Sequence, residues 1–165
     1  MAEPNAALKT PTDLNRNDTK TVAQALNGIL ADSYALYFKT KNFHWHVSGP
    51  HFRDYHLMLD DQAAQILATT DVIAERVRKT GNATLRSVGD ISRHQTIKDN
   101  DKDFVSADAM LAELREDNLK LVALLREAKE IVDEAKDNAT SGILDEWTDQ
   151  AEERAWFLFE TSRGA

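Results

Sequence analysis

Apolar residues recur at intervals of three or four positions in four long stretches of the chain, which is the period of an amphipathic α-helix. In the first stretch we predict a helix that begins at Asp18 or Thr19, either of which can serve as N-cap, and runs through His44. Its apolar positions are Val22, Leu26, Ile29, Leu30, Leu36 and Tyr37. Residues 1–17 show no apolar period, so we predict a flexible tail there and a folded domain over residues 18–165.

The other three stretches predict the remaining long helices of a bundle. A second helix is predicted over residues 51–80, between a Ser-Gly-Pro break and a Gly-Asn pair that stops it. Ser106 is the predicted N-cap of a third helix that ends near Asn138. A fourth helix is predicted to begin after Gly142, and its apolar positions are Ile143, Leu144, Trp147, Ala151, Ala155, Trp156 and Phe159.

A polar stretch between the second and third helices predicts a long connection. It covers residues 83–104, contains Gly89, and leaves room for one short helix around Asp90 to His94. Two helix pairs joined in this way are typical of a four-helix bundle with one crossover. Since no long alternation typical of strands occurs, we predict an all-α fold: a four-helix bundle with a short extra helix in the long crossover.

Composition limits the chemistry that this bundle can perform. The 165 residues suit one domain, and no apolar run has the length of a membrane span or of a secretory signal, so we expect a cytoplasmic protein. The absence of Cys excludes disulfides and thiolate sites, so any metal must be held by His and carboxylates, as iron, manganese and zinc can be. The net charge of -8 argues against a broad basic surface for nucleic acid.

The second helix carries two pairs of possible metal ligands. His56 and Asp60 lie one helical turn apart, and Asp71 and Glu75 repeat that spacing, so each pair can chelate an ion. The two pairs lie about 22 Å apart, because each residue of a helix rises about 1.5 Å. One chain cannot bring both pairs to one ion, whereas an antiparallel mate across a two-fold axis can supply the second pair. We therefore predict two equivalent metal sites per dimer, each shared between subunits.

A solvated helix face is the competing interpretation, because acidic residues every three or four positions usually mark an exposed surface. Against it, the positions between the two pairs are largely apolar, which predicts a helix packed around most of its circumference. These positions are Leu57, Ala64, Leu67, Ala68, Val72 and Ile73. The Glu-x-x-His motif of bundles with an intrachain di-iron site is absent, which also favours a site between chains.

The residues around these pairs resemble the ferroxidase signature of Dps proteins, the DNA-binding proteins from starved cells, also called mini-ferritins. The matching residues are Lys41, His44, Trp45, Val47, Gly49, Phe52, His56, Asp60, Asp71, Ala74, Glu75 and Arg76. The resemblance covers nearly the whole predicted bundle. It implies a ferritin-like fold and a twelve-subunit cage that oxidises Fe(II), preferably with hydrogen peroxide rather than dioxygen, and stores ferric mineral. Such a cage protects the cell and its DNA from oxidative damage.

The same resemblance implies a ligand set. In Dps proteins the residues that match His44, His56 and Asp60 come from one subunit, and those that match Asp71 and Glu75 come from its two-fold mate. The spacing along the second helix also assigns its two pairs of ligands to different subunits at each site. A centre of this kind would hold two iron ions at each interfacial site.

Several further residues carry weaker signals. Trp45 is predicted to pack beside the iron site, with redox buffering as a second role. His46 and His51 are predicted to be surface groups or neighbours of the ligands. In Dps proteins the junction of the third and fourth helices lines three-fold pores, which makes Asp137 and Asp145 candidate pore residues; solvated helix ends are the alternative.

Binding to DNA is expected to be weak. The basic residues of the N-terminal segment are balanced by acidic ones: Lys9, Arg16 and Lys20 against Glu3, Asp13 and Asp18. Association with the nucleoid would therefore require many tails of one cage acting together. Two alternatives to an iron-oxidising cage remain, a non-enzymatic scaffold that compacts and protects DNA and a bundle oxygenase, the latter disfavoured by the missing Glu-x-x-His motif.

Overall fold

The computed structural model describes residues 6–163, and the architecture is a bundle of four long helices. The helices are α1 (Arg16–His46), α2 (Phe52–Lys79), a short α3 (Val88–His94), α4 (Ala107–Glu134) and α5 (Asn138–Thr161), preceded by a 3-10 turn at Ala6–Leu8. Helix α1 packs against α2, α3 and α4, and α4 packs against α5. The predicted four-helix bundle with an extra helix in the crossover is confirmed. None of the helices within residues 6–163 combines the length and the apolar character that a membrane span requires.

Helix α1 begins earlier than predicted. Asn15 is its N-cap, and the side-chain oxygen of Asn15 accepts a hydrogen bond from the backbone N–H of Asn17. The predicted cap at Asp18 or Thr19 is therefore wrong. Asp18 lies instead in the first turn, where its negative charge complements the positive end of the helix dipole.

The junction between α4 and α5 also differs from the prediction. Helix α4 ends at Glu134, because Lys136 adopts a positive φ of 56° and turns the chain out of the helix. Asp137 then accepts a hydrogen bond from the backbone N–H of Thr140 and caps α5. The fourth helix therefore begins before Gly142, which lies inside it with open space where a Cβ would project.

Part of the predicted tail contacts the end of α2. Arg78 donates to the carbonyl oxygen of Leu8, and the hydroxyl of Thr10 donates to the carbonyl oxygen of Arg78. Gly81 has a positive φ of 82°, and a Cβ at this position would lie 3.1 Å from the Thr10 carbonyl oxygen. Residues 1–5 lie outside the described residues, and the mobility of the tail stays a prediction.

The crossover is fixed to α1 by a buried carboxylate. Asp32 accepts hydrogen bonds from the backbone N–H of Thr96 at 2.6 Å, from the Thr96 hydroxyl at 2.7 Å and from the backbone N–H of Ile97 at 2.9 Å. These bonds satisfy a carboxylate that would be costly to bury without partners. The crossover is thereby held against α1. One face of α2 remains exposed.

Candidate metal centre

Two imidazoles stack where α1 ends and α2 begins. The ring centres of His44 and His56 lie 3.8 Å apart, with an interplanar angle of 21°. Nδ1 of His44 lies 2.7 Å from the carbonyl oxygen of His56, and Nδ1 of His56 lies 2.8 Å from the carbonyl oxygen of His44. Because a carbonyl oxygen can only accept, each Nδ1 carries its proton. In the neutral imidazoles each Nε2 then offers a lone pair, which is the form that binds a metal.

Residues on either side of the histidines anchor this pair to the bundle core. Phe43, Val47 and Tyr55 are all buried. The turn between the helices contains Gly49, whose φ of 115° is available to glycine at little cost. The turn therefore brings the last turn of α1 and the second turn of α2 side by side.

Asp60 extends the site by one helical turn. Its Oδ1 lies 2.6 Å from Nζ of Lys41 and 3.9 Å from Nε2 of His44. The hydrogen bond from Lys41 holds the pKa of the Asp60 carboxyl below its ordinary value, and the positive charge of Lys41 acts in the same direction. Asp60 is therefore ionised at neutral pH, with the Lys41 ammonium as its counter-ion.

Trp45 lies beside this group but outside the core of its own chain. It remains 54% exposed and meets Phe38 edge-on, with ring centres 6.0 Å apart. Nζ of Lys41 lies 5.8 Å from the Trp45 ring centre. Packing of Trp45 within the chain is therefore limited, and its predicted place beside an iron ion stays a prediction.

Asp71 and Glu75 lie elsewhere on α2. Both are exposed, and Glu75 forms an ion pair of 3.2 Å with Lys79. Helix α2 is continuous from Phe52 to Lys79, so this second pair remains about 22 Å from His56 along the helix. Within residues 6–163, no three His, Asp or Glu side chains are gathered in a way that could hold a metal ion. A single chain thus brings His44, His56 and Asp60 near one another and leaves the other two residues apart.

An exposed apolar stripe runs along the face of α2 that carries these two pairs. The prediction that α2 is packed around most of its circumference is wrong for a single chain, although Ile73 is buried as expected. We call the exposed residues the α2 stripe: Leu57, Ala64, Leu67, Ala68 and Val72. Leu57, Leu67 and Val72 are 44%, 41% and 40% exposed. The stripe shares its face of the helix with Asp60, Asp71 and Glu75.

His46 and His51, the two histidines with weaker signals, have different neighbours. His46 is exposed, and its Nδ1 lies 2.7 Å from the carbonyl oxygen of Asn42. His51 is exposed at the start of α2 and lies beside Tyr55, with ring centres 5.7 Å apart. Neither histidine stacks with the imidazole pair.

The two candidate pore residues differ in exposure. Asp137 is only 3% exposed, and its oxygens are occupied by Arg76 and Thr140. It is therefore a helix cap rather than a carboxylate free to line a pore, and its prediction as a pore residue is wrong for this chain. Asp145 is exposed and lies 2.9 Å from Nζ of Lys129, and its role in a pore stays a prediction.

Comparison with known proteins identifies the family of this chain. The family model of the ferritin-like domain matches residues 23–162. A DNA protection during starvation protein from Agrobacterium fabrum is 33% identical over 150 residues, which cover 91% of this chain and 93% of that protein. The chain belongs to the Dps family.

Further Dps proteins show the same relationship in sequence and structure. DNA protection during starvation protein 1 from Deinococcus radiodurans is 30% identical over 93% of this chain and 74% of its own length. The crystal structure of a Dps protein from Bacillus brevis is 30% identical, covers 90% of this chain and 99% of its own, and superposes with a TM-score of 0.85. The predicted Dps membership and ferritin-like fold are both confirmed.

Proposed function

We propose that this Dps-family chain is the subunit of a ferroxidase and iron-storage cage. It oxidises Fe(II), preferably with hydrogen peroxide, at sites shared by two subunits, and the ferric product is stored as mineral inside a dodecamer. The reciprocal hydrogen bonds of His44 and His56 carry this proposal, because they engage both Nδ1 atoms and leave both Nε2 atoms for a metal ion, that of His44 lying 3.9 Å from the Asp60 carboxylate. The cell and its DNA are protected from oxidative damage because both Fe(II) and hydrogen peroxide are removed.

The donor set suits iron as substrate. Fe(II) is a borderline acid that binds imidazole well, and Fe(III) is a hard acid that prefers carboxylate oxygen. A site with His44, His56 and Asp60 from one subunit, completed by Asp71 and Glu75 of the partner subunit, would bind Fe(II) and favour its oxidised form. Three carboxylates would also offset much of the charge of two ferrous ions.

The ligand positions are symmetric about one point of α2. Residues 56 and 75 lie at equal distances from the point between Gln65 and Ile66, and so do residues 60 and 71. An antiparallel copy centred on that point would place Glu75 of the partner subunit opposite His56. The same alignment would set Ala64 against Leu67 of the partner subunit. The small and large residues of the exposed α2 stripe would then fit together and let the helices approach closely.

Two adjacent iron ions match the electron demand of peroxide. Each Fe(II) gives up one electron, and hydrogen peroxide accepts two as its O–O bond breaks to give two hydroxide ions. The pair therefore avoids a one-electron step, which would release a hydroxyl radical. The protein supplies the ligands that hold both ions close together.

This electron balance predicts a stoichiometry. We expect about two Fe(II) to be oxidised per hydrogen peroxide consumed, and we expect oxidation by peroxide to be much faster than oxidation by dioxygen. Stopped-flow absorbance of the ferric product, with peroxide consumption measured in parallel, checks both. Spin trapping should show far less hydroxyl radical than free Fe(II) produces under the same conditions. One Fe(II) per peroxide, with undiminished radical, would contradict oxidation at a paired site.

Lys41 supplies a second prediction. Its ammonium must leave Asp60 before a metal ion can bind there, so Lys41→Met removes both a competitor and a positive charge. The pKa of Asp60 should rise towards its ordinary value, yet the carboxylate remains ionised at neutral pH. We expect Co(II), used as a stable probe, to bind about two- to fivefold more tightly, as loss of an exposed ion pair allows. Lys129→Met, which removes the ion pair with Asp145 away from the site, should leave Co(II) affinity unchanged.

A further inference from the structure

Phe52 lies against the imidazole of His56. Their ring centres are 5.0 Å apart, with an interplanar angle of 30°. His44 stacks on the same imidazole at 3.8 Å. Two flat rings, those of His44 and Phe52, therefore stack on the His56 imidazole.

The place of Phe52 in the fold indicates a role other than core packing. It is the first residue of α2, it lies one helical turn before His56, and its backbone N–H donates to the carbonyl oxygen of Gly49 at 3.1 Å. Its side chain is still 45% exposed. A phenyl ring kept half exposed and stacked on a candidate ligand contributes more to the orientation of that ligand than to the hydrophobic core.

We propose that Phe52 is a positioning residue that fixes the plane of the His56 imidazole before iron arrives. This inference rests on the proposed function. The hydrogen bond from Nδ1 to the His44 carbonyl oxygen fixes one edge of the ring, but the final torsion of a histidine side chain is broad. Stacking against the rings of His44 and Phe52 restricts that torsion, so Nε2 keeps its direction and less conformational entropy is lost when a metal ion binds.

The test is binding of Co(II) to the assembled full-length protein, followed by calorimetry and by the visible absorption of the bound ion. Phe52→Leu should weaken binding by about three- to tenfold and change the intensity of the visible bands, because the ligand field depends on ring orientation. Phe52→Tyr keeps the flat ring and should restore both the affinity and the spectrum. Phe38→Leu removes another exposed aromatic residue, one that contacts Trp45 but not His56, and should match the parent.

The outcomes separate this inference from the proposed function. His56→Ala must lose Co(II) binding; if it binds as the parent does, the proposed site itself is wrong. If His56→Ala loses binding while Phe52→Leu keeps the parental affinity and spectrum, the role of Phe52 alone is overturned. A Phe52→Tyr variant as weak as Phe52→Leu would overturn it as well. If Phe52→Leu does not assemble, Phe52→Met, which retains volume without a flat ring, replaces it under the same criteria.

Discussion

Oxidation of Fe(II) by hydrogen peroxide is expected to slow by about a hundredfold or more when His56 and Asp60 are both replaced by Ala. Even residues that only support a metal ligand cost about 10- to 100-fold in affinity when they are removed, and this variant removes two direct ligands. His44 would then remain without its stacked partner and without a neighbouring carboxylate. Stopped-flow measurement of the ferric product, at equal subunit concentration, gives the rate.

A matched control is available on α1 and α2, the helices that carry the proposed ligands. The double variant His46→Ala, Asp61→Ala removes one imidazole and one carboxylate of the same kinds, both exposed and both adjacent in sequence to proposed site residues. It should oxidise Fe(II) at the parental rate. Equal rates in the parent and in the His56→Ala, Asp60→Ala variant would remove the enzymatic interpretation and leave the protective DNA scaffold as the better account.

Disruption of the α2 stripe should have the second large effect. Leu67→Glu places a carboxylate in the centre of the proposed interface, where the two-fold axis brings two copies of the change close together. Burial of an unpaired charge costs several kcal/mol, so the dimer and the cage built from it should dissociate. Analytical ultracentrifugation should show small species, and rapid oxidation of Fe(II) should be lost although His44 and His56 are untouched.

Leu119→Glu is the control for this change. Leu119 is 44% exposed, close to the 41% of Leu67, but lies on α4 and outside the α2 stripe. It should leave both the sedimentation coefficient and the oxidation rate near those of the parent. If Leu67→Glu keeps the parental assembly and rate, the α2 stripe is not the interface between subunits.

Helix positions could be predicted from apolar spacing, whereas some helix ends could not. The period of three and four residues places the four long helices, because each must bury one face in a common core. The start of α1 and the junction of α4 and α5 were misplaced, because single residues decide them. Asn15 caps α1 one turn earlier than the predicted residues, and the positive φ of Lys136 ends α4 well before Gly142, after which the fourth helix was predicted to begin.

Candidate ligands could be predicted from spacing on a single helix, but the contacts between helices could not. His56 and Asp60 are separated by one turn, a distance that the sequence specifies. The reciprocal hydrogen bonds of His44 and His56 depend on the turn between α1 and α2, as does the ion pair of Lys41 with Asp60. The stacking of Phe52 on His56 could have been predicted from the sequence, because two aromatic residues four positions apart lie on the same face of a helix.

The exposed α2 stripe shows a further limit of apolar spacing. Periodicity identifies residues that avoid water, but it does not distinguish the core of one chain from an interface between two. Leu57, Leu67 and Val72 have the spacing of core residues and are nevertheless exposed in the single chain. Only the three-dimensional arrangement separates these residues from Ile73, which is buried in the bundle.

The sharing of each site between two subunits can be tested by mixing two inactive proteins. One variant carries His56→Ala and Asp60→Ala, and the other carries Asp71→Ala and Glu75→Ala. The two are unfolded together and refolded, or are produced together in one cell, so that mixed dimers form. Each mixed dimer should contain one complete site and one empty site, because each intact pair would meet the intact pair of the other subunit.

The rate of Fe(II) oxidation by hydrogen peroxide in the mixture is the decisive measurement. With equal amounts and random pairing, half of the dimers are mixed and each has one of its two sites, so the account predicts about a quarter of the parental rate. Each variant refolded alone should remain inactive. A mixture that has assembled but stays as inactive as its components would contradict a site built from two subunits.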